Sequence, residues 1–404
     1  MTNRSARLSL GFSLVGHTYA HLVMLLFPVV VLALEKEWGL PFGDLLPLSL
    51  AGTILFGSAA LPAGWLGDRF GALGMMVIYF VGTGVACVAT GFARTPLEMA
   101  LGLAAIGLFA AIYHPVGVAW LVQVAARRGQ ALGWSGVFGN IGVAAAAVVA
   151  GALIDFAGWR AAFIVPGMVC VATGLLLWLG VKLGAVEPAK GDRQPEAPAS
   201  RDDMIRAFIV LSVTMLCAGL IFQCVSVTLP KIFAERLPAE FAGTATQIGA
   251  LVSIVYVIAG AAQLVGGYLS DRMSMKWSYL TSFVLQVPVM LYMAQASGWT
   301  LVAGAALISV LGTTVIPAES GLLARYTPLK WRSTAFGIKF VLSLGVSAAG
   351  VPLVSYIYAE TGDFVWLFYI LAGCAFTLVA AGLWLPGDRG LRAAQASPVA
   401  APAE

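Results

Sequence analysis

Three histidines, one glutamate and one lysine stand out in this chain because they fall inside long apolar segments: His17, His21, His114, Glu319 and Lys339. An ionisable group in such a segment is costly unless it is paired or solvated, so its position points to a pathway for ions or substrate. His17 and His21 are four residues apart, which puts both imidazoles on one face of a helix. Ser13, Met24 and Pro28 continue that stripe, while the other faces carry Leu, Val and Phe. An imidazole titrates near neutral pH, and a carboxyl group can be brought there by desolvation. His17, His21, His114 and Glu319 are therefore expected to line one central cavity and to move protons. The same donors could ligate a first-row metal, but no Cys, Asp or Met-rich entry loop accompanies them, and no metal is expected.

Depth is read by counting from the nearest basic residue. His17 lies ten residues after Arg7, about 15 Å of helix. His114 lies 13 residues before Arg127, and Glu319 lies 13 before Arg332, so the two share a depth. Lys339 lies seven residues after Arg332, roughly 10 Å in, from where its stem can snorkel to the interface. It remains a candidate to bind an anion or to pair with Glu319. Tyr19, Tyr113, Asn140, Gln223 and Gln263 are further candidate substrate contacts, with Gln286, Tyr256 and Trp120 in the same segments.

The elements that position these residues are membrane helices. Apolar residues make up 60% of the 404 and charged residues 10%, and the mean hydropathy is +0.91. Apolar blocks of about 20 residues match a helix crossing roughly 30 Å of hydrocarbon. Twelve are expected, near residues 8–34, 45–67, 73–93, 97–126, 130–155, 159–182, 206–230, 244–270, 277–296, 299–327, 331–359 and 363–386. If the N-terminus faces the cytoplasm, 17 of the 23 basic residues fall on that side; only Lys36, Arg94, Arg160, Lys231 and Arg236 fall opposite. Both termini are therefore expected to be cytoplasmic. The net charge of +4 follows from that asymmetry and does not indicate nucleic acid. No cleavable signal is expected before the first span. The five cysteines all lie in apolar spans, so no disulfide is expected.

Between Lys182 and Arg206 the composition turns to Pro, Gly and alternating charge, the mark of a linker. The expected organisation is a six-helix bundle over 1–182, a cytoplasmic linker over 183–205, a second bundle over 206–386 and a disordered tail over 387–404. The bundles repeat each other at an offset near 203 residues: Gly64-Trp-Leu-Gly-Asp68-Arg69 is echoed by Gly267-Tyr-Leu-Ser-Asp271-Arg272, and Arg128-Gly-Gln-Ala-Leu-Gly133 by Arg332-Ser-Thr-Ala-Phe-Gly337.

Gly64, Leu66, Asp68, Arg69 and Gly71 after the second span resemble the loop signature of the major facilitator superfamily of secondary transporters, although Ala72 and Leu73 replace its usual basic pair. That resemblance implies an all-α fold of two pseudo-symmetric six-helix bundles. It also implies a cytoplasmic gate at Asp68 and Arg69 and at their repeat, Asp271 and Arg272, to which Arg325 is expected to belong by its place near the cytoplasmic end of its span. His114-Pro115 in span four and Gly139-Asn140-Ile-Gly142 in span five are similar to the fosmidomycin-resistance branch, bacterial proton-driven exporters. Pro115 is followed by Val116, where that branch tends to carry an acidic residue. The implied activity is proton-coupled export of a small organic compound from the bacterial cytoplasm by alternating access. Uptake of an organic anion, divalent metal transport and a non-transporting membrane sensor are the alternatives. The expected partners are a small-molecule substrate, protons and the lipid bilayer, for a monomer with no cofactor. No Walker loop or redox motif is present, so a gradient must supply the work.

Overall fold

A computed structural model describes residues 3–125, 128–188, 201–327 and 332–386. Each expected span is helical: α1 (Asn3–Trp38), α2 (Phe42–Gly67), α3 (Ala72–Thr90), α4 (Pro96–Val124), α5 (Ala131–Ala157), α6 (Trp159–Lys182), α7 (Arg201–Arg236), α8 (Ala245–Leu269), α9 (Met275–Met293), α10 (Gly298–Leu323), α11 (Gly337–Thr361) and α12 (Val365–Leu383). Eleven are long and apolar enough to cross a membrane; α9, with Lys276, Ser278, Thr281, Ser282 and Gln286, is the more polar exception. There is no strand among the described residues. Within the expected linker, residues 189–200 lie outside the described set, as does the tail from 387. Helix α7 is already formed at Arg201, inside that expected linker, where Asp202 and Asp203 suit the positive end of a helix dipole.

Several helices are broken, and the breaks follow Pro and Gly. Helix α1 kinks at Leu26, just before Phe27-Pro28, since proline lacks an N–H and clashes with the preceding turn. Its counterpart Pro230 sits inside an unbroken α7. Helix α4 is interrupted after Ala110 and resumes as a π-turn over Tyr113–Gly117 that contains His114-Pro115. Helix α10 breaks at Val315, ahead of Pro317 and Glu319. Helix α11 carries a π-turn over Val341–Gly345.

The apolar core is forked. One continuous cluster joins both halves at the end remote from the termini, where Val30, Leu34, Phe42 and Leu46 pack with Leu229, Ile232, Val354 and Phe364. Nearer the termini it separates into two. One branch holds Met76, Tyr79, Tyr113 and Trp120 of the first half, the other Leu211, Tyr279, Phe283 and Leu322 of the second. Close helix approaches hold the joined region. A Cβ added at Gly57 of α2 would fall inside the backbone of Gly345 in α11, so only glycine permits that crossing. The outward faces expose Ile78, Leu101, Leu176, Ile258, Trp299 and Phe376, an apolar surface suited to lipid.

Candidate functional site

The ionisable residues lie where the core divides, in two groups. The first is built on α1 and α4. His17 Nδ1 lies 2.8 Å from the Ser135 hydroxyl of α5, and His17 Nε2 lies 3.2 Å from His21 Nε2. The π-turn in α4 brings His114 edge-on to both rings, with centroids 5.4 Å away in each case. Tyr113 stacks on His17 at 4.9 Å from behind. His114 is 6% exposed, and Phe340 of α11 stacks on it at 4.7 Å. Phe56 of α2 packs against its edge at 5.5 Å. The His114 Nε2 atom is buried and has no hydrogen-bond partner among the described residues.

The second group is built on α10 and α11. Glu319 Oε1 and Lys339 Nζ are 2.7 Å apart, and both residues are below 10% exposed. Lys339 also donates to the Ser320 hydroxyl at 3.0 Å, and the Tyr279 hydroxyl of α9 donates to Glu319 Oε2 at 3.3 Å. Snorkelling, expected for Lys339, does not occur. The physical reason is Glu319, since a buried carboxylate recruits a counter-charge wherever one is in reach. The four residues expected to line one cavity fall in two groups. Glu319 is engaged by Lys339 in the second half, while the histidines gather in the first. The groups meet through neighbours, because Phe340 on His114 follows Lys339 in sequence.

The remaining candidates are dispersed. Tyr19 lies two residues from His17 and so faces the other side of α1; its hydroxyl lies 3.3 Å from that of Thr173 and its ring packs on Phe80. Asn140 of α5 and Gln263 of α8 hydrogen-bond each other across the halves. Gln223 lies beside Gly350 of α11. Arg69 lies over Trp65 at 5.5 Å, Arg272 over Tyr268 at 4.2 Å and Arg325 over Tyr326 at 5.3 Å. The Asp68 and Asp271 side chains are outside the described residues.

A tie that local sequence does not mark lies at the opposite end. Lys231 of α7 reaches Glu35 of α1 at 2.7 and 2.9 Å and Glu235 at 3.5 Å, beneath the rings of Phe42 and Tyr358. Asp155 of α5 accepts from the backbone N–H of Thr246 at 2.8 Å, at the start of α8. The signal available was the matched Pro28 and Pro230, each followed within a few residues by charges.

This arrangement of two linked helical bundles has known relatives. The sequence model described as Major Facilitator Superfamily matches residues 12–237 and again 211–403. The chain belongs to that superfamily. It is 27% identical over 320 residues to a probable nitrate/nitrite antiporter, NarK1, of Thermus thermophilus, covering 71% of this chain and 69% of the relative. It is 24% identical over 356 residues to the 4-hydroxybenzoate transporter PcaK of Pseudomonas putida, covering 78% and 77%. A bacterial homologue of the human lysosomal transporter Spinster, in an inward-facing and unoccupied conformation, superposes with a TM-score of 0.71 over 95% of both chains at 13% identity. That last likeness shows the fold. This major facilitator chain is a multi-span membrane transporter and not an enzyme.

Proposed function

We propose that this chain is a proton-coupled secondary transporter working by alternating access, with a small organic anion as its substrate. The observation that carries the proposal is the Glu319–Lys339 pair, 2.7 Å apart and buried on the second-half branch of the divided core. A buried lysine needs one negative partner, and a buried ion pair stripped of one member is strongly unfavourable. Two states satisfy that demand. In one, ionised Glu319 neutralises Lys339. In the other, Glu319 takes a proton, releases the ammonium group and lets the acidic group of a substrate replace it. Proton and anion then occupy the site together, which couples them in the same direction. The core, joined at the Lys231 end and divided at the other, supports opening at one end while the other is closed. Phe340, next in sequence to Lys339, stacks on His114 of the first-half histidine group, and Tyr113 stacks on His17. Transport of 4-hydroxybenzoate by PcaK, as its name states, fits a substrate of this kind.

A second direction is favoured by a different observation. The His114-Pro115 and Gly139-Asn140-Ile141-Gly142 runs are similar to the fosmidomycin-resistance branch, which implies export against a proton. Proteoliposomes containing a pH-sensitive dye separate the two when a panel of small aromatic and aliphatic carboxylates is added outside, with protein-free liposomes as the control. Symport acidifies the lumen and antiport makes it alkaline. A panel without protein-dependent proton movement of either sign rejects the organic-anion reading. Glu319→Gln is expected to abolish accumulation driven by a pH gradient, by at least about tenfold, while substrate exchange without a gradient survives.

A further inference from the structure

The proton step above uses Glu319 and leaves three gathered imidazoles without a task. We propose that His17, His21 and His114 form a binding site for a transition-metal dication of the Zn2+ type. One ligand nitrogen from each residue lies within 4.8 Å of the other two, and the His17 and His21 Nε2 atoms are 3.2 Å apart. Tetrahedral zinc with nitrogen ligands at about 2.0–2.1 Å places those nitrogens about 3.3 Å from one another. The first pair already has that spacing, and the third ligand is within a side-chain adjustment of it.

Three further features suit a metal. The His114 Nε2 atom is buried in a residue 6% exposed and has no partner among the described residues, a costly arrangement for which a ligand is the natural resolution. Ser135 holds His17 Nδ1 at 2.8 Å, which turns the Nε2 lone pair toward the other imidazoles, the orienting role that outer-shell hydroxyls and carboxylates play at metal sites. Gly139 of α5 stands against the same edge of His17, where an added Cβ would come within 2.8 Å of Cε1 and Nε2. The absence of a side chain there keeps the metal-facing nitrogen clear. Donor chemistry sets the selectivity. A set of imidazoles without carboxylate favours Zn2+, Cu2+, Ni2+ or Co2+ over Mg2+ or Ca2+. The nearby ammonium group of Lys339 is matched by Glu319, so it does not leave a bare positive charge beside the dication.

The test is metal binding by the purified full-length protein in detergent, measured by calorimetry with Zn2+ and by the visible spectrum with Co2+. One Zn2+ per chain is expected, with Co2+ giving the intense bands of a tetrahedral nitrogen-ligated ion. His17→Ala and His114→Ala should each weaken Zn2+ binding at least about 100-fold and remove the Co2+ bands. Ser135→Ala and Gly139→Ala, which keep all three ligands, should weaken it about tenfold or more and serve if a histidine variant fails to fold. Mg2+ should not compete. Wild-type protein lacking a saturable Zn2+ site, or undiminished binding in both folded histidine variants or in both Ser135→Ala and Gly139→Ala, overturns the proposal. Glu319→Gln should bind Zn2+ as the wild type does, so a failed proton assay and a failed metal assay remain distinct results.

Discussion

The two halves carry ionisable side chains beside corresponding breaks, in α4 and α10, and surround them differently. In the second half Glu319 is a buried carboxylate that pairs with Lys339 and accepts from the Tyr279 hydroxyl, while the Ser320 hydroxyl accepts from Lys339. In the first half His114 is walled by Phe56, Tyr113 and Phe340, and the imidazoles of His17 and His21 meet it edge-on. The difference teaches what each chemistry tolerates. A carboxylate cannot be buried ionised without a cation, whereas an imidazole can be buried neutral against aromatic rings and still offer a lone pair. The second half is thus built around a fixed charge balance and the first around donor atoms.

The sharpest way to break this contrast is Lys339→Ala. It strands the Glu319 charge and should lower stability by about 3–5 kcal/mol, seen as a fall in the thermal unfolding temperature of the purified protein. Adding Glu319→Gln should restore all but about 1 kcal/mol of that loss, because the stranded charge is then gone. Equal losses in the single and double variants would show that the pair is not a compensated charge. A smaller effect is expected at the remote end, where the Lys231–Glu35 pair is partly solvated. Lys231→Ala should cost about 1–2 kcal/mol of the joined arrangement. Spin-label distances between the outer ends of α1 and α7 would then lengthen and broaden; an unchanged distribution would mean that apolar packing alone closes this end. The smallest change is expected for His114→Leu. It removes a polar atom that already lacks a partner, so thermal stability should move by less than about 1 kcal/mol. A loss as large as that of Lys339→Ala would erase the distinction between the halves.

The sequence carried the fold because every membrane helix needs its own apolar length, and the Gly64–Arg69 and Gly267–Arg272 runs mark the duplication. Part of the site was also readable there. The i, i+4 spacing put His17 and His21 on one face, and depth counting left Lys339 open as a partner of Glu319. The same helical geometry excludes Tyr19 from that face, since two residues turn a helix by about 200°. Ser135 and Phe340 carried no comparable mark. Small polar and aromatic residues are common in this chain, and nothing in their local spacing says what they will touch.

By itself, then, the sequence determined the class of the protein, its spans, its duplication and the few ionisable groups kept within the apolar segments. Those properties depend on local composition and on distance along one helix. The tertiary structure alone decided that Glu319 turns to Lys339 and that the π-turn in α4 carries His114 to the α1 histidines. It also decided that the core joins at the Lys231 end and divides at the other. These outcomes depend on the rotation and crossing of helices distant in sequence. Such crossings are set by close packing at contacts such as Gly57 on Gly345, which no single segment encodes.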